Sequence, residues 1–317
     1  MFHVDSRPSV HWFADHIGPS QTCIHAVKSW VHTERSEFQD ISVFDTESLG
    51  RCLVLDGEVQ TFEVDEAIYH ESLVLPIGSL HPRPLRGLVI GGGEGATLRD
   101  ALRVRSLEQI DMVEIDPAMV QTSLKYLTSW HQGSYESDRV NLIHADGRNF
   151  LESSPDFYDL IWIDISNPRA GGPATRLFTR EFYQLVRSRL AEGGLLAIQA
   201  DTANPLHAGT FPRLVRTLES VFGSVIPYAA YVPSYCTLWG FALAGATQGV
   251  EGIAPEEIDR RIAERVDGEL MHYDGLAHRS MFCLPLSLRK AMKSGDVPIN
   301  TDNAPIQEHY PGHAFTH

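Results

Sequence analysis

Leu88-Val-Ile-Gly-Gly-Gly-Glu-Gly-Ala-Thr97 is an apolar run that breaks into glycines and then opens a helical pattern. Glycines at such a break let the backbone approach a ligand and leave helix N–H groups free to meet it. Alone, this turn leaves open a nicotinamide dinucleotide, an adenosyl ligand or only a tight turn. Its surroundings say more. Short apolar runs recur between helical segments: Gly87–Gly93, Gln109–Asp116, Val140–Asp146, Asp159–Ile165, Gly194–Asp201 and Trp239–Gly245. From Leu85 to about Ala244 they read as buried strands of a doubly wound α/β sheet.

Toward the N-terminus, residues from about Trp30 to Gln60 alternate polar and apolar side chains, with Asp56-Gly57 between two β-rich runs. That predicts a small antiparallel β unit turning at Asp56-Gly57. The stretch from Asp65 has helical spacing and is expected to end near Pro76, before a His81-Pro-Arg-Pro linker. After Gly245 come a charged helical stretch, Pro255–Val266, and a tail that reads as a separate small lobe. The expected division is 1–84 for a β-hairpin domain with its linking helix, 85–246 for the Rossmann-like catalytic domain, and 247–317 for the C-terminal lobe.

The strand ends separate the ligand readings. Glu114 lies about twenty residues beyond the glycines, where a carboxylate accepts hydrogen bonds from both ribose hydroxyls. Asp146 ends the next strand, placed to accept from an adenine amine or to cap the following helix. Carboxylates after successive strands describe an adenosyl pocket better than a dehydrogenase site. The expected fold class is therefore α/β: a Rossmann-like core of the class I S-adenosylmethionine methyltransferase type, with a small N-terminal antiparallel β domain and a short C-terminal lobe.

Bulk properties restrict the partners. The 26 Lys and Arg against 41 Asp and Glu give a formal charge of −15, a surface that repels a phosphate backbone and attracts small polycations. No nucleic-acid partner is expected. Cys23, Cys52, Cys236 and Cys283 are scattered, with no CxxC pair, which suggests neither a zinc site nor a disulfide framework. The N-terminus lacks the basic start and apolar run of a signal peptide, and no long apolar run is present, so the expectation is a cytoplasmic protein without a membrane partner.

The fourth strand ends in Ile163-Asp-Ile-Ser-Asn-Pro168 and runs into Arg169-Ala-Gly-Gly-Pro-Ala174. With these residues the chain resembles the polyamine aminopropyltransferases, the spermidine synthase family, whose pattern is GGG[DE]G, [ED]ID, D[GA] and DxxDPxGP in that order. The family's leading segment is matched by Phe38-Gln39-Asp40, Leu53 to Gly57, Gln60, Asp65-Glu66, Tyr69 and Glu71. Tyr69-His70-Glu71 in place of Tyr-Gln-Glu, GGGEGAT in place of GGGDGG, and Pro233-Ser-Tyr235 before Trp239-Gly240, together with the tail segments Met281–Met292 and Asn300–Ile306, are similar to thermospermine synthases and to bacterial enzymes acting on agmatine or longer amines.

The resemblance implies decarboxylated S-adenosylmethionine as co-substrate, methylthioadenosine as product, no permanently bound cofactor and no metal. It implies Asp164 as the carboxylate that takes the attacking amine's proton, and Glu94 as the partner of the donor's primary amine. Gln39, Glu114 and Asp146 would hold the nucleoside, with Gly91, Gly92, Gly93 and Gly147 in the donor-binding turns and Pro173 and Ala174 bordering the adenine. Gln60, Tyr69, His70, Asn167, Tyr235 and Trp239, with Asp164, would face the acceptor: spermidine, agmatine or putrescine. A homodimer or homotetramer is implied. Asn167 departs from the family's Asp; it keeps an acceptor oxygen but loses the charge, which should disfavour small diamines. That departure keeps two rivals in view: a methyl or other alkyl transferase using S-adenosylmethionine, and a non-catalytic adenosyl- or polyamine-binding paralogue.

Overall fold

The computed structural model describes residues 11–18, 21–168, 172–205, 209–245 and 249–306. Strands β1 (His11–Gly18), β2 (Gln21–Arg35), β3 (Asp40–Thr46), β4 (Arg51–Leu55) and β5 (Glu58–Phe62) pair antiparallel in chain order. The β4–β5 hairpin turns on Asp56 and Gly57, at φ 49° and 80°, as a two-residue turn of this twist requires. This sheet begins well before Trp30, because β1 and the start of β2 belong to it. Asp15 faces inward on β1, 5% exposed, with its Oδ1 accepting from Val59 N at 3.3 Å. An inward charge interrupts the alternation that would have marked the strand.

Helix α1 (Glu66–Leu80) is buried from Tyr69 to Ser79 and passes through Pro76, so the expected end near that proline is corrected. Proline removes the N–H that would serve the carbonyl four residues back, normally at considerable cost. Here that carbonyl is Ser72, and Tyr228 Oη donates to it at 2.9 Å. A tertiary hydrogen bond replaces the helical one.

The core strands are β6 (Arg86–Gly91), β7 (Gln109–Glu114), β8 (Val140–His144), β9 (Tyr158–Asp164), β10 (Leu190–Thr202), β11 (Val225–Val232) and β12 (Thr237–Gly245), in the order β11-β12-β10-β9-β6-β7-β8. Strands β8, β7, β6, β9 and β10 run parallel, while β12 is antiparallel to both β10 and β11. This is the class I methyltransferase-like arrangement. The strand order reverses between β6 and β9, and ligands of open α/β sheets collect at the carboxyl ends flanking such a point. Strand β11 was not anticipated, because Pro227 lies inside it; the sheet tolerates a residue without a ladder N–H there because β11 is the edge strand.

Around the core lie α2 (Ala96–Leu102), α3 (Pro117–Tyr126), α4 (Thr128–His131), α5 (Gly147–Ser153), α6 (Arg180–Arg189) and α7 (Thr210–Phe222), followed by α8 (Pro255–Arg265), α9 (Gly275–Met281) and α10 (Leu286–Met292). Buried Glu71 on α1 accepts from the backbone N–H groups of Met271, His272 and Tyr273, each at 2.8 Å, and so fastens the C-terminal segment to the central helix. Residues 246–248, where the core was expected to give way to the C-terminal lobe, lie outside the described residues, as do Arg169–Gly171.

Candidate active site

Gly91, the last residue of β6, pairs in register with Asp164, the last of β9, at the strand-order reversal. A Cβ on Gly91 would stand 2.0 Å from the Asp164 carbonyl, and its φ is 81°. Gly92 N donates to that carbonyl at 2.7 Å. A Cβ on Gly93 would meet Met119 at 2.7 Å and Glu114 Oε2 at 2.9 Å. The glycines thus fit the turn against neighbouring strands as well as opening it to a ligand.

Asp164 is held through both oxygens: Tyr69 Oη donates to Oδ1 at 2.6 Å and Thr97 Oγ1 to Oδ2 at 2.5 Å. Burial and the Glu94 charge raise its carboxyl to about 6, although the His70 charge and the two hydroxyls pull the other way. The group therefore sits close to neutrality in its titration. Burial and the Asp164 charge keep the Tyr69 phenol well above its ordinary range, so Tyr69 remains a donor.

Beside this pair runs a chain of charges. Arg99 donates to Glu66 at 2.8 and 3.0 Å; His70 Nδ1 meets Glu66 Oε2 at 2.8 Å, and His70 Nε2 meets Glu94 Oε1 at 3.1 Å. Burial alone would lower His70, but Glu66 and Glu94 outweigh it and hold the imidazole up at about 10. His70 is thus a buried cation at neutral pH. Atoms of His70, Glu94 and Asp164 lie within 4.8 Å of one another, a spacing a metal could span. Both imidazole nitrogens already face carboxylates, Glu66 on one side and Glu94 on the other, which commits the ring to this chain of charges.

The residues expected to hold a nucleoside gather at the ends of β7 and β8. Glu114 Oε1 accepts from Asp116 N at 2.9 Å, and burial raises its carboxyl to about 7. Asp116 caps α3 through Ala118 N and also accepts from Gln39 Nε2 at 2.9 Å and Ser36 Oγ at 2.7 Å, which ties the N-terminal sheet to the core. Asp146 caps α5, with Asn149 N donating to Oδ1 at 2.8 Å, and it lines the cavity as well. Capping and pocket lining are compatible here. Gly147 and Ala174 also line the cavity; the Pro173 side chain lies outside what the structure describes.

On the other side of Asp164 the walls are aromatic. Tyr69 packs near Tyr235 and Trp239, with ring centroids 6.2 and 6.5 Å away, and Tyr235 lies 4.9 Å from Trp239. Tyr235 Oη donates to the Gln60 carbonyl, and the Gln60 amide donates to Glu58 O at 3.1 Å. The Trp239 indole N–H is buried with no acceptor among the described residues. Asn167 Nδ2 donates to Asp201 Oδ1 at 3.2 Å. All these residues, with Gln39, Gly91, Gly92, Gly93, Glu94, Glu114, His70 and Asp164, line one cavity of about 210 Å³.

Sequence reasoning missed Thr97, Asp116, Asp15 and Asp201, which join the expected residues. Thr97 stood in the opening motif, three residues beyond Glu94. Asp201 had a signal too: like Glu114, Asp146 and Asp164, it follows an apolar strand. Its side chain reaches the cavity because β10 is irregular between Gln199 and Thr202, and Asp201 takes φ 66° there. Bulges of this kind redirect side chains beside functional sites.

The chain matches the spermine/spermidine synthase domain over residues 66–251 and the spermidine synthase tetramerisation domain over residues 11–63. It is 40% identical to polyamine aminopropyltransferase 2 of Hyperthermus butylicus, covering 92% of this chain and 95% of that one. It is 38% identical to the polyamine aminopropyltransferase of a Synechococcus species, covering 95% and 99%. Among solved structures, it resembles a spermidine synthase in complex with the transition-state analogue AdoDATO, with TM-score 0.82 and 29% identity, covering 89% of this chain and 94% of that one. Fold, glycine turn, strand-end carboxylates and these likenesses agree, and the chain belongs to the spermidine synthase family of polyamine aminopropyltransferases.

Proposed function

We propose that the protein transfers an aminopropyl group from decarboxylated S-adenosylmethionine to a di- or polyamine and releases methylthioadenosine. The observation that carries this reading is Asp164, held through both oxygens between a carboxylate-lined half and an aromatic half of one cavity. In the reaction the acceptor nitrogen forms a bond to the carbon beside the sulfonium. The C–S bond breaks with its electron pair going to sulfur, and the proton leaves the amine for Asp164. The leaving group starts as a cation and departs neutral, so no general acid is required.

Two physical problems remain, and residues of this site answer both. An alkylamine titrates near 10, so roughly one in a thousand is nucleophilic at neutral pH. Asp164, with the hydroxyls of Tyr69 and Thr97 fixing its orientation, is the acceptor for that proton. Alignment of amine, carbon and sulfur is worth about 7–11 kcal/mol, and we assign it to the two halves of the cavity. Glu114, Asp146 and Gln39 hold the nucleoside end, and Glu94 meets the donor's ammonium while sharing its charge with His70. On the acceptor side Tyr69, Tyr235 and Trp239 offer ring faces to methylenes and ammonium groups, with Gln60 at their edge. Asp201 supplies the carboxylate that Asn167 lacks, and Asp15 is a second carboxylate lining the cavity, a pair that suits an acceptor longer than a simple diamine.

The same reading includes self-association. Trp12 and Ile24 stand 44% and 53% exposed on paired strands, and the β1–β2 register puts them on one outward face with Ala14 and Ala26. An apolar face of this kind suits burial against a second copy, as a homodimer or homotetramer. We propose 1–84, 85–246 and 247–317 as the units of the chain, and a cytoplasmic location; among the described residues no helix is long and apolar enough to cross a membrane. The test is mass spectrometry of products from decarboxylated and ordinary S-adenosylmethionine with putrescine, agmatine and spermidine. Aminopropylated amine with methylthioadenosine is expected from the decarboxylated donor alone. Methylated product, or no product with any pair, would overturn the reading.

A further inference from the structure

The segment Asn300–Ile306 was assigned no role by the site just described, yet it touches the outer side of two elements that border the cavity. Asp302 receives both guanidinium nitrogens of Arg148, Nη1 to Oδ1 at 2.8 Å and Nη2 to Oδ2 at 2.7 Å. Thr179 Oγ1 donates to Oδ1 at 2.7 Å, and Arg176 Nη2 reaches Oδ2 at 3.3 Å. The Asp302 backbone N–H donates in turn to Glu181 Oε2 at 2.9 Å. One carboxylate therefore joins the first turn of α5, the 3-10 segment Pro173–Phe178 and the start of α6.

Both of the first two elements lead straight to the cavity wall. Arg148 follows Asp146 and Gly147, which line the cavity, and Arg176 lies between Ala174 and Leu177, which also line it. A second, apolar observation agrees: Ile306, 8% exposed, packs in the same buried cluster as Ala174, Leu177 and Phe178. The segment is itself well anchored. Asn300 N donates to Thr217 Oγ1 at 3.0 Å, Arg180 N donates to Asn300 O at 2.9 Å, and Arg213 Nη2 reaches Ala304 O at 3.2 Å. It is a fixed strap behind the nucleoside end, with no residue of its own in the cavity.

We infer that Asp302 is a positioning residue for the donor: through Arg148 on one side and through Arg176 and Thr179 on the other, it sets the distance between Asp146-Gly147 and Ala174-Leu177, and so the width of the slot that takes the nucleoside. The bidentate pairing makes the setting directional, because a planar guanidinium and a planar carboxylate fix both distance and plane. The acceptor side, beyond Asp164, makes no contact with this strap in any of the interactions above. The effect should therefore divide between the two substrates.

This inference rests on the aminopropyl-transfer reading, and the experiment separates the two. Asp302→Asn and Arg148→Gln, singly and together, are compared with wild type for methylthioadenosine affinity by calorimetry and for KM of donor and acceptor. Asp302→Asn is expected to weaken methylthioadenosine and raise donor KM about tenfold, while acceptor KM and kcat at saturating donor stay within twofold. The double variant should lose no more than the worse single one, since both remove the same pairing. Asp302→Glu, which keeps the charge, should recover part of the loss. Circular dichroism and thermal unfolding establish that each variant is folded. Folded Asp302→Asn with wild-type nucleoside affinity, or with equal losses for donor and acceptor, would overturn the positioning role alone. Wild type that neither binds methylthioadenosine nor uses the donor would overturn the reading on which it rests.

Discussion

Asn167 donates its amide to Asp201 Oδ1 at 3.2 Å, so the position that lacks a carboxylate in this chain is backed by a buried one. On the proposed acceptor side, Asp201 therefore offers a carboxylate where Asn167 offers only an amide. Asp201→Asn should raise acceptor KM at least tenfold and leave donor KM unchanged, the usual consequence of removing a buried partner of an ammonium group. Asn167→Asp should do much less than a restored charge would suggest. Two carboxylates at this distance share a proton, so little net charge is gained. The ratio of specificity constants for putrescine against spermidine should move by less than about threefold, whereas a large shift toward putrescine would show that Asn167 alone reads the acceptor.

In the proposed role Asp164 takes a proton only when ionised, and burial beside Glu94 raises its carboxyl to about 6. Turnover at saturating donor should fall as pH drops through that value, with an acid limb near 6. Tyr69 and Thr97 both donate to the carboxylate and favour its charged form, so Thr97→Val should move the limb to higher pH. Asp164→Asn should cost about a hundredfold or more in kcat and abolish the limb, as expected for a general base. A variant that keeps near-normal turnover at pH 7 would show that the proton leaves by another route.

His70 sits between Glu66 and Glu94 and is held up at about 10 from its ordinary 6.5. A raised folded-state value stabilises the fold fully below pH 6.5, and that contribution is lost as pH rises through about 10. Thermal stability should decline across this window in wild type and decline less in His70→Gln. The same substitution frees the Glu94 charge for the donor's ammonium and removes a cation that favours a donor carboxylate. Preference for decarboxylated over ordinary S-adenosylmethionine should therefore widen, by about tenfold for a partly buried charge pair. Unchanged preference by calorimetry would remove Glu94 from donor recognition.

Tyr228 serves the Ser72 carbonyl that Pro76 leaves without a helical partner. Tyr228→Phe should cost about 1–3 kcal/mol, the penalty for a buried carbonyl left unpaired. Pro76→Ala in that background restores the helical N–H and should recover part of the loss, read from urea midpoints. Strictly additive effects would show that the hydroxyl matters for another reason.

Sequence alone determined the sheet class, the glycine turn and the carboxylates after its strands, because buried parallel strands leave nearly continuous apolar runs and their ends are where ligands meet the fold. Gly91, Glu114 and Asp146 were read on that ground, and the family pattern added Asp164, Tyr69, His70 and Glu94. Tertiary structure decided what no local pattern carries. Strand β1 was hidden by its inward Asp15, and β11 by Pro227, since burial of a charge and edge position depend on distant neighbours. The path of α1 through Pro76 depends on a hydroxyl 152 positions beyond the proline. Asp201 enters the cavity only because β10 breaks register there, and His70 is held as a cation because Glu94, from the glycine turn, closes on it opposite Glu66 of its own helix. Charge state and side-chain direction are set by what surrounds a residue in space, and the chain order names those surroundings only where they are also neighbours in sequence.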